Sequence, residues 1–274
     1  MATDQGKTSN VNALGIISEI SDRSITELGT TTFRLPYSPV TFGAIAGRHI
    51  KEFFDVERTT PIHQWHIDNG AKFEDVGQWK RPWYYPHNGE SMRSAVNREC
   101  LAARNAVGIL DASTLGKIDI QGPDASKLLN LVYTNGWNNL AIGHCRYGLM
   151  LGEDGMIFDD GVTSRLADNH YLMTTTTGNA AAVHGWLEEW LQTEWPELKV
   201  YCTSVTEYWS TIAICGPNAR ALLTEFTSDN ELDDEAFPFM TLRKGSVAGI
   251  PARIFRISFT GELTFEINVP ASYG

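Results

Sequence analysis

Ile118-Asp119-Ile120-Gln121-Gly122-Pro123-Asp124-Ala125-Ser126-Lys127-Leu128-Leu129 decides the fold, because Ile212-Ala213-Ile214-Cys215-Gly216-Pro217-Asn218-Ala219-Arg220-Ala221-Leu222-Leu223 echoes it 94 residues later. Seven of the twelve positions are identical. In each copy two isoleucines alternate as on a half-buried strand, a Gly makes the turn, and a Pro stands where the first helical residue has no amide bond to lose. Each copy is therefore expected to be a strand-turn-helix unit. The fold expected is α+β, one body made of two related halves with the site near their junction.

A chain of 274 residues with 42% apolar content can bury a sizeable core. Its formal charge of −11 opposes nucleic-acid binding, because phosphates would meet a repulsive field, and no basic stripe offsets it. Residues 1–12 are polar and unlike a secretory leader, and no apolar run approaches the ~18 residues that span a bilayer. The expectation is a cytoplasmic protein with no nucleic acid and no membrane among its partners. The four cysteines form no C-x-x-C pair, which fits a reducing compartment. Cys100, on the apolar stripe of an expected helix, and Cys215, at the end of an expected strand, read as buried small hydrophobes.

Residues 1–89, rich in Pro, Thr and aromatics, are expected to be an extended lead-in, with Thr30 to Pro39 extended because each Pro biases its predecessor away from helix. Residues 90–274 are expected to form the compact domain. Ser91 caps a helix whose apolar positions Met92, Val96, Cys100, Ala103 and Val107 recur at steps of three and four, and Gly108 stops it. Gly152-Glu153-Asp154-Gly155 reads as a hairpin turn. A helix from about Asn179 carries Val183, Trp186, Leu187 and Trp190 on one face and closes before Pro196. Residues 246–270 read as strands with turns at Gly249-Ile250-Pro251 and Thr260-Gly261. The chain stops just past a strongly patterned strand and is expected to be cut short.

Phe259-Thr260-Gly261-Glu262-Leu263-Thr264-Phe265-Glu266 is the sharpest candidate for chemistry. As one strand it places Glu262 and Glu266 on a common face. A carboxylate in a partly closed pocket suits a ligand with two parallel N–H donors, such as the amidine edge of a pterin; the same pattern also fits a solvent-facing strand with an apolar inner face. Gly152 to Gly161 lacks the alternating ligands and distal Glu of a calcium loop and reads as a turn with a positioned Asp pair. His63 and His66 have no evident third ligand and read as structural, so no metal is expected. Trp79 to Pro86 reads as an aromatic wall beside a ligand or partner subunit, or equally as core. G-x-G-x-x-G and G-x-S-x-G are both absent, so this segment is not expected to bind a dinucleotide by itself.

Leu110-Asp111-Ala112-Ser113-Thr114-Leu115-Gly116-Lys117-Ile118, the two Gly-Pro-x-Ala units, Tyr147 to Leu151 running into Asp159-Asp160-Gly161, and Thr260-Gly261-Glu262 with Phe265-Glu266 occur in one order. That series resembles the aminomethyltransferase (glycine-cleavage T-protein) family, whose members bind tetrahydrofolate, and it covers roughly residues 90–274. Thr60 to His66, Phe73 to Tyr84, Met173 to Asn179 and Trp186 to Pro196 are similar to the α subunits of heterotetrameric sarcosine oxidases. The match then spans nearly the whole chain.

The resemblance implies a T-protein-like folate-binding domain with its C-terminal barrel portion missing. It implies a role in oxidising sarcosine to glycine and hydrogen peroxide, with the one-carbon unit passed to tetrahydrofolate as the methylene form. The partners implied are folate, a flavoprotein β subunit and small subunits. FAD, FMN and NAD belong to the complete complex and are not bound by this segment, and the isolated fragment is expected to lack oxidase activity. Position by position, Glu266 matches the acid that holds the pterin, and Tyr147 and Asp160 fall in family motifs. The T-proteins carry an Asp after the Asn of a Thr-Asn pair, where Thr134-Asn135 is followed here by Gly136. Asn135 is then the nearest polar candidate, and Phe259 replaces the Tyr that opens the Tyr-Thr-Gly-Glu motif. The alternatives are a flavin-independent aminomethyltransferase or folate-dependent demethylase, and a non-catalytic folate-binding module.

Overall fold

Helices and strands follow one another where the periodicity changes from 3.6 to 2 along the chain. In order they are α1 (Val11–Ser21), β1 (Arg58–Thr59), α2 (His63–Asp68), β2 (Lys72–Val76), β3 (Trp79–Tyr84), α3 (Met92–Asn105), β4 (Gly108–Asp111) and β5 (Gly116–Gln121). Then come α4 (Ala125–Val132), β6 (Cys145–Leu151), β7 (Ile157–Ala167), β8 (His170–Thr175), α5 (Ala180–Thr193) and β9 (Tyr201–Ser204). Last are β10 (Trp209–Cys215), α6 (Ala219–Phe226), β11 (Thr241–Val247), β12 (Ile250–Arg256) and β13 (Thr264–Pro270). This computed structural model describes residues 11–24, 27, 57–227 and 231–274. Two units are distinguished, Met1–Val56 and Glu57–Gly274. In the first, α1 closes with the Ser21 hydroxyl donating to the Ile17 carbonyl at 2.6 Å; the extended run expected over 30–39 lies outside the described residues.

The second unit holds three sheets, ordered β1-β3-β2, β6-β7-β8-β5-β9 and β11-β12-β13-β10-β4. Its two five-stranded sheets are the two copies of the repeat, and the correspondence runs well past the twelve quoted residues. Ile118 on β5 faces Met173 on β8, and Ile212 on β10 faces Ile267 on β13, the same 94-residue step on both strands. The edge strands are exchanged. β4 pairs with β10, Asp111 facing Ile212, while β9 pairs with β5, Ser204 facing Ile118. Each half therefore lends a strand to the other.

Both turns of the repeat demand glycine. Gly122 has φ +137°, and a Cβ there would lie 2.2 Å from the Lys199 carbonyl oxygen; Gly216 has φ +122°, and a Cβ would lie 2.5 Å from that of Ala103. Ile118 and Ile120 pack with Leu128 and Leu129 of α4 and Val183 and Leu187 of α5. In the second half Ile214, Phe265 and Ile267 pack with Ala219 and Leu223 of α6. A smaller cluster, with Cys145 and Leu172 from one sheet and Leu242 and Phe255 from the other, lies between the sheets. The layers are helix, sheet, sheet, helix, so the opposite faces of β5 and β13 meet at the centre.

Three expectations are corrected. The compact unit begins at Glu57, and residues 58–84 form a small sheet with α2 instead of an extended lead-in, tied down by the Arg58 guanidinium 4.1 Å over the Trp79 ring. Ser91 does cap α3, accepting from the Ser94 amide at 3.2 Å, but Cys100 is exposed and Ala95 is the buried residue. Polar bonds set that face: Glu99 accepts from the Tyr85 amide and Arg98 donates to the Tyr85 carbonyl, both at 2.7 Å. Finally, β13 begins only at Thr264. Residues 259–263 bend around Gly261 (φ +80°), closed by the Ser258 hydroxyl, which donates to the Glu262 carbonyl and accepts from the Gly261 amide. Glu262 therefore does not share the strand face of Glu266; it pairs with Arg104.

Candidate ligand site between the sheets

Because Ile118 and Ile120 point to the helices, Lys117 on the same strand points to the opposite sheet. It meets a narrow cleft, about 10 Å³ in free volume, in which Lys117, Val162, Ser164 and Thr174 of the first half face Thr211, Phe255, Glu266 and Asn268 of the second. Lys117 is only 1% exposed. Its ammonium donates to the carbonyls of Leu115 at 2.9 Å, Ser113 at 3.2 Å and Ala112 at 3.4 Å. Burial pushes the Lys117 pKa down to about 8, against the opposing pull of Glu266 and Asp111.

Glu266 keeps a fraction of its surface open to the cleft, while the protein around its carboxyl pushes its pKa up by desolvation, only partly countered by Lys117. Among the described residues nothing donates a hydrogen bond to it, and the Thr211 hydroxyl and Asn268 side-chain carbonyl are buried without partners. Buried polar groups are normally hydrogen-bonded, so a cleft holding two unsatisfied ones beside Glu266 is suited to a polar ligand.

Tyr147 and Asp160 come together on the same sheet, with Asn135 beside them in the bend after α4. The Tyr147 hydroxyl donates to Asp160, and the Asn135 amide donates to the Tyr147 carbonyl at 3.0 Å. Tyr147 lies opposite Val162 across β6–β7, and Asp160 is two residues along from Val162, on the face that lines the cleft. The Asp160 hydrogen bond is the first cause of the raised Tyr147 pKa. Phe259 stands apart: it is 90% exposed in the bend before β13 and does not line the cleft. Asp159, the other member of the acid pair, is buried and points away, accepting from the Thr176 hydroxyl at 2.6 Å and the Thr176 amide at 3.2 Å.

Behind Lys117 lies a second buried network. His66, on α2 and 3% exposed, bonds Asp111 at 2.8 Å through Nε2 and the Tyr85 hydroxyl at 2.5 Å through Nδ1. Burial works to raise the Asp111 pKa, but hydrogen bonds from His66 and Ser113 help to outweigh it and leave the carboxyl below its ordinary value. Asp111 accepts from the Ser113 amide at 2.9 Å, and the Ser113 hydroxyl accepts from the Thr211 amide at 2.9 Å, so the network fixes the turn whose carbonyls hold Lys117. His63 and His66 belong to no cluster of metal-ligand type among the described residues. No described helix is long and apolar enough to cross a membrane.

Lys117, Thr211 and Asn268 were not singled out by the sequence. The available signal was a Lys placed beside the core isoleucines of a repeat whose other copy carries Thr211 at that position.

Residues 62–274 match the GCVT N-terminal domain family. The chain belongs to that family. Residues 1–48 match the sarcosine oxidase A3 domain. The chain is 58% identical to the sarcosine oxidase subunit alpha of Corynebacterium sp. (strain U-96) over 100% of its own length and 28% of that relative's. It is 48% identical to the subunit alpha of Rhizobium meliloti, again over 100% of its own length and 28% of the relative's. The chain thus spans little more than a quarter of these relatives. The glycine cleavage system aminomethyltransferase T of Bartonella henselae is similar in structure, with a TM-score of 0.67 at 28% identity, covering 79% of this chain and 55% of that one. The α+β, aminomethyltransferase-like fold expected from the sequence is the fold observed.

Proposed function

We propose that the cleft between the sheets holds the pterin ring of tetrahydrofolate through Glu266, and that the chain is the folate-holding part of a sarcosine oxidase α subunit. The observation that carries this reading is the Glu266 carboxyl, which lines the cleft between the sheets and receives no hydrogen bond from a described residue. Such a carboxylate accepts a pair of parallel N–H groups in charge-assisted hydrogen bonds, which is the donor pattern of a pterin amidine edge. The unsatisfied Thr211 hydroxyl and Asn268 carbonyl fit further polar edges of the same ring. Bound tetrahydrofolate supplies the nucleophilic nitrogens that accept a one-carbon unit.

The residues act by position more than by proton transfer. Gly136 stands where the T-proteins carry Asp, and Asn135 is engaged in orienting Tyr147. Holding two reactants in register is worth several kcal/mol of barrier by itself. In the complete complex the flavin of the β subunit would take two electrons from sarcosine and pass them to dioxygen, giving hydrogen peroxide, and glycine would be released as the one-carbon unit of the resulting imine passes to the folate held here. FAD, FMN and NAD are held by other parts of the complex. The similarity to sarcosine oxidase α subunits along the entire chain supports this assignment.

Titration calorimetry with tetrahydrofolate tests the reading. Micromolar binding is expected for the wild-type chain, with roughly tenfold to hundredfold loss in Glu266→Ala. A folded variant that binds as tightly as wild type removes Glu266 from the site.

A further inference from the structure

The two halves of the repeat differ in charge where they face each other. Residue 117 is Lys, and its counterpart 94 residues later is Thr211; residue 266 is Glu, and its counterpart 94 residues earlier is Leu172. A symmetric sandwich would place Thr and Leu at both positions. Here one half supplies a cation and the other an anion, and both line one cleft. No direct ion pair joins them, since Lys117 directs its donors to the Ala112, Ser113 and Leu115 carbonyls.

Resting on the reading of the cleft as a folate site, we propose that Lys117 is the positioning residue that keeps Glu266 ionised and so available to a ligand's paired N–H donors. The carbonyls restrain the ammonium from collapsing onto Glu266, which leaves the carboxylate oxygens free while the positive field still favours their charged form. The remaining groups around the pair do not take over this role. Asp111, the other charge that acts on Lys117, is engaged by His66. Asp119, on the same face of β5, is turned toward His170 and Arg253. The Cys145 thiol near Glu266 is pushed up to about 12 by burial and stays neutral. From β7, β8, β10 and β12, and from the residue just after β12, the cleft receives Val162, Ser164, Thr174, Thr211, Phe255 and Ile257, none of which titrates in the working range.

The test reads the Glu266 side chain without ligand, by carbon NMR of the carboxyl in the 274-residue chain, assigned through Glu266→Gln. In wild type the curve is expected to show its own inflection and a second, smaller one near pH 8, where Lys117 gives up its proton. In Lys117→Met the second inflection vanishes and the first moves up by about one pH unit or more, equivalent to a tenfold change in the ionisation constant; Lys117→Arg restores the wild-type position. A first inflection unmoved in a folded Lys117→Met chain overturns the proposal. If that variant does not fold, a wild-type curve without the second inflection does so instead. Tetrahydrofolate affinity measured over the same pH range is then expected to fall on the acid side in step with the NMR curve. A coupled pair without any tetrahydrofolate binding would contradict the folate reading and leave the charge coupling standing.

Discussion

Lys117 and Glu266 are titratable groups in positions where the centre of a two-sheet body ordinarily holds aliphatic side chains, and the buried Lys117 and its neighbour Asp111 make stability depend on pH. The Lys117 pKa is lowered in the folded state, so between about 8 and the ordinary Lys value the unfolded chain binds more protons and stability rises with pH. The full effect is about 3 kcal/mol; urea midpoints measured from pH 7.5 to 10.5 are expected to show the rise in wild type and not in Lys117→Met. Asp111 has the opposite dependence at the other end of the scale. Its carboxyl titrates below its ordinary value, so its contribution is present at neutral pH and is lost as pH falls through the folded-state value. His66→Ala leaves that buried carboxylate short of a partner and is expected to cost about 3 kcal/mol in urea unfolding at pH 7; a cost below 1 kcal/mol would mean that water replaces the imidazole. Gly136 has open space around its Cβ position, so Gly136→Asp is expected to fold with stability within about 0.5 kcal/mol of wild type. What alternation made legible is the side of β13 on which Glu266 lies, opposite to that of Phe265 and Ile267. Lys117 was not legible: a Lys between Gly116 and Ile118, on the strand face opposite Ile118 and Ile120, gives no sign of burial until the partner sheet that covers it is known.

At the scale of elements, the repeat was legible because Gly-Pro punctuation and alternating isoleucines specify strand, turn and helix locally. Those glycines are not equivalent to others in the chain. Gly122→Ala places a Cβ against the Lys199 backbone and is expected to cost at least about 3 kcal/mol, whereas Gly249→Ala, at φ +78° with open space around it, costs about 1 kcal/mol. Thermal unfolding of the two variants side by side checks the ordering. Less legible was the buried face of α3, because its apolar stripe competes with the polar bonds of Arg98 and Glu99 to the Tyr85 backbone, and the polar bonds decide. The start of β13 was misread for a similar reason. Alternation continues through Phe259 to Leu263, but Gly261 at positive φ and the Ser258 hydroxyl bonds close a bend there, which turns Glu262 toward Arg104 and leaves Phe259 in solvent.

At the scale of the second unit, the exchange of β4 and β9 means that neither half completes its sheet alone. The halves are expected to unfold together, since removing one takes an edge strand from the other. Tryptophan fluorescence, to which Trp137, Trp186, Trp190 and Trp195 of the first half and Trp209 of the second contribute, and far-ultraviolet circular dichroism are expected to give coincident urea transitions; two separated transitions would mean that the halves are independent. That coupling matters for function because the cleft takes Lys117 from one half and Glu266 from the other, so the site exists only when both are folded. Strand exchange was not legible in the sequence, where β4 and β9 are short and carry no sign of which sheet they join. The most direct measurement of the account is a crystal structure of the chain with tetrahydrofolate bound. Pterin density is expected between the sheets, with two ring nitrogens within hydrogen-bond distance of the Glu266 carboxylate; a pterin bound elsewhere, with Glu266 still facing an empty cleft, would contradict the folate assignment.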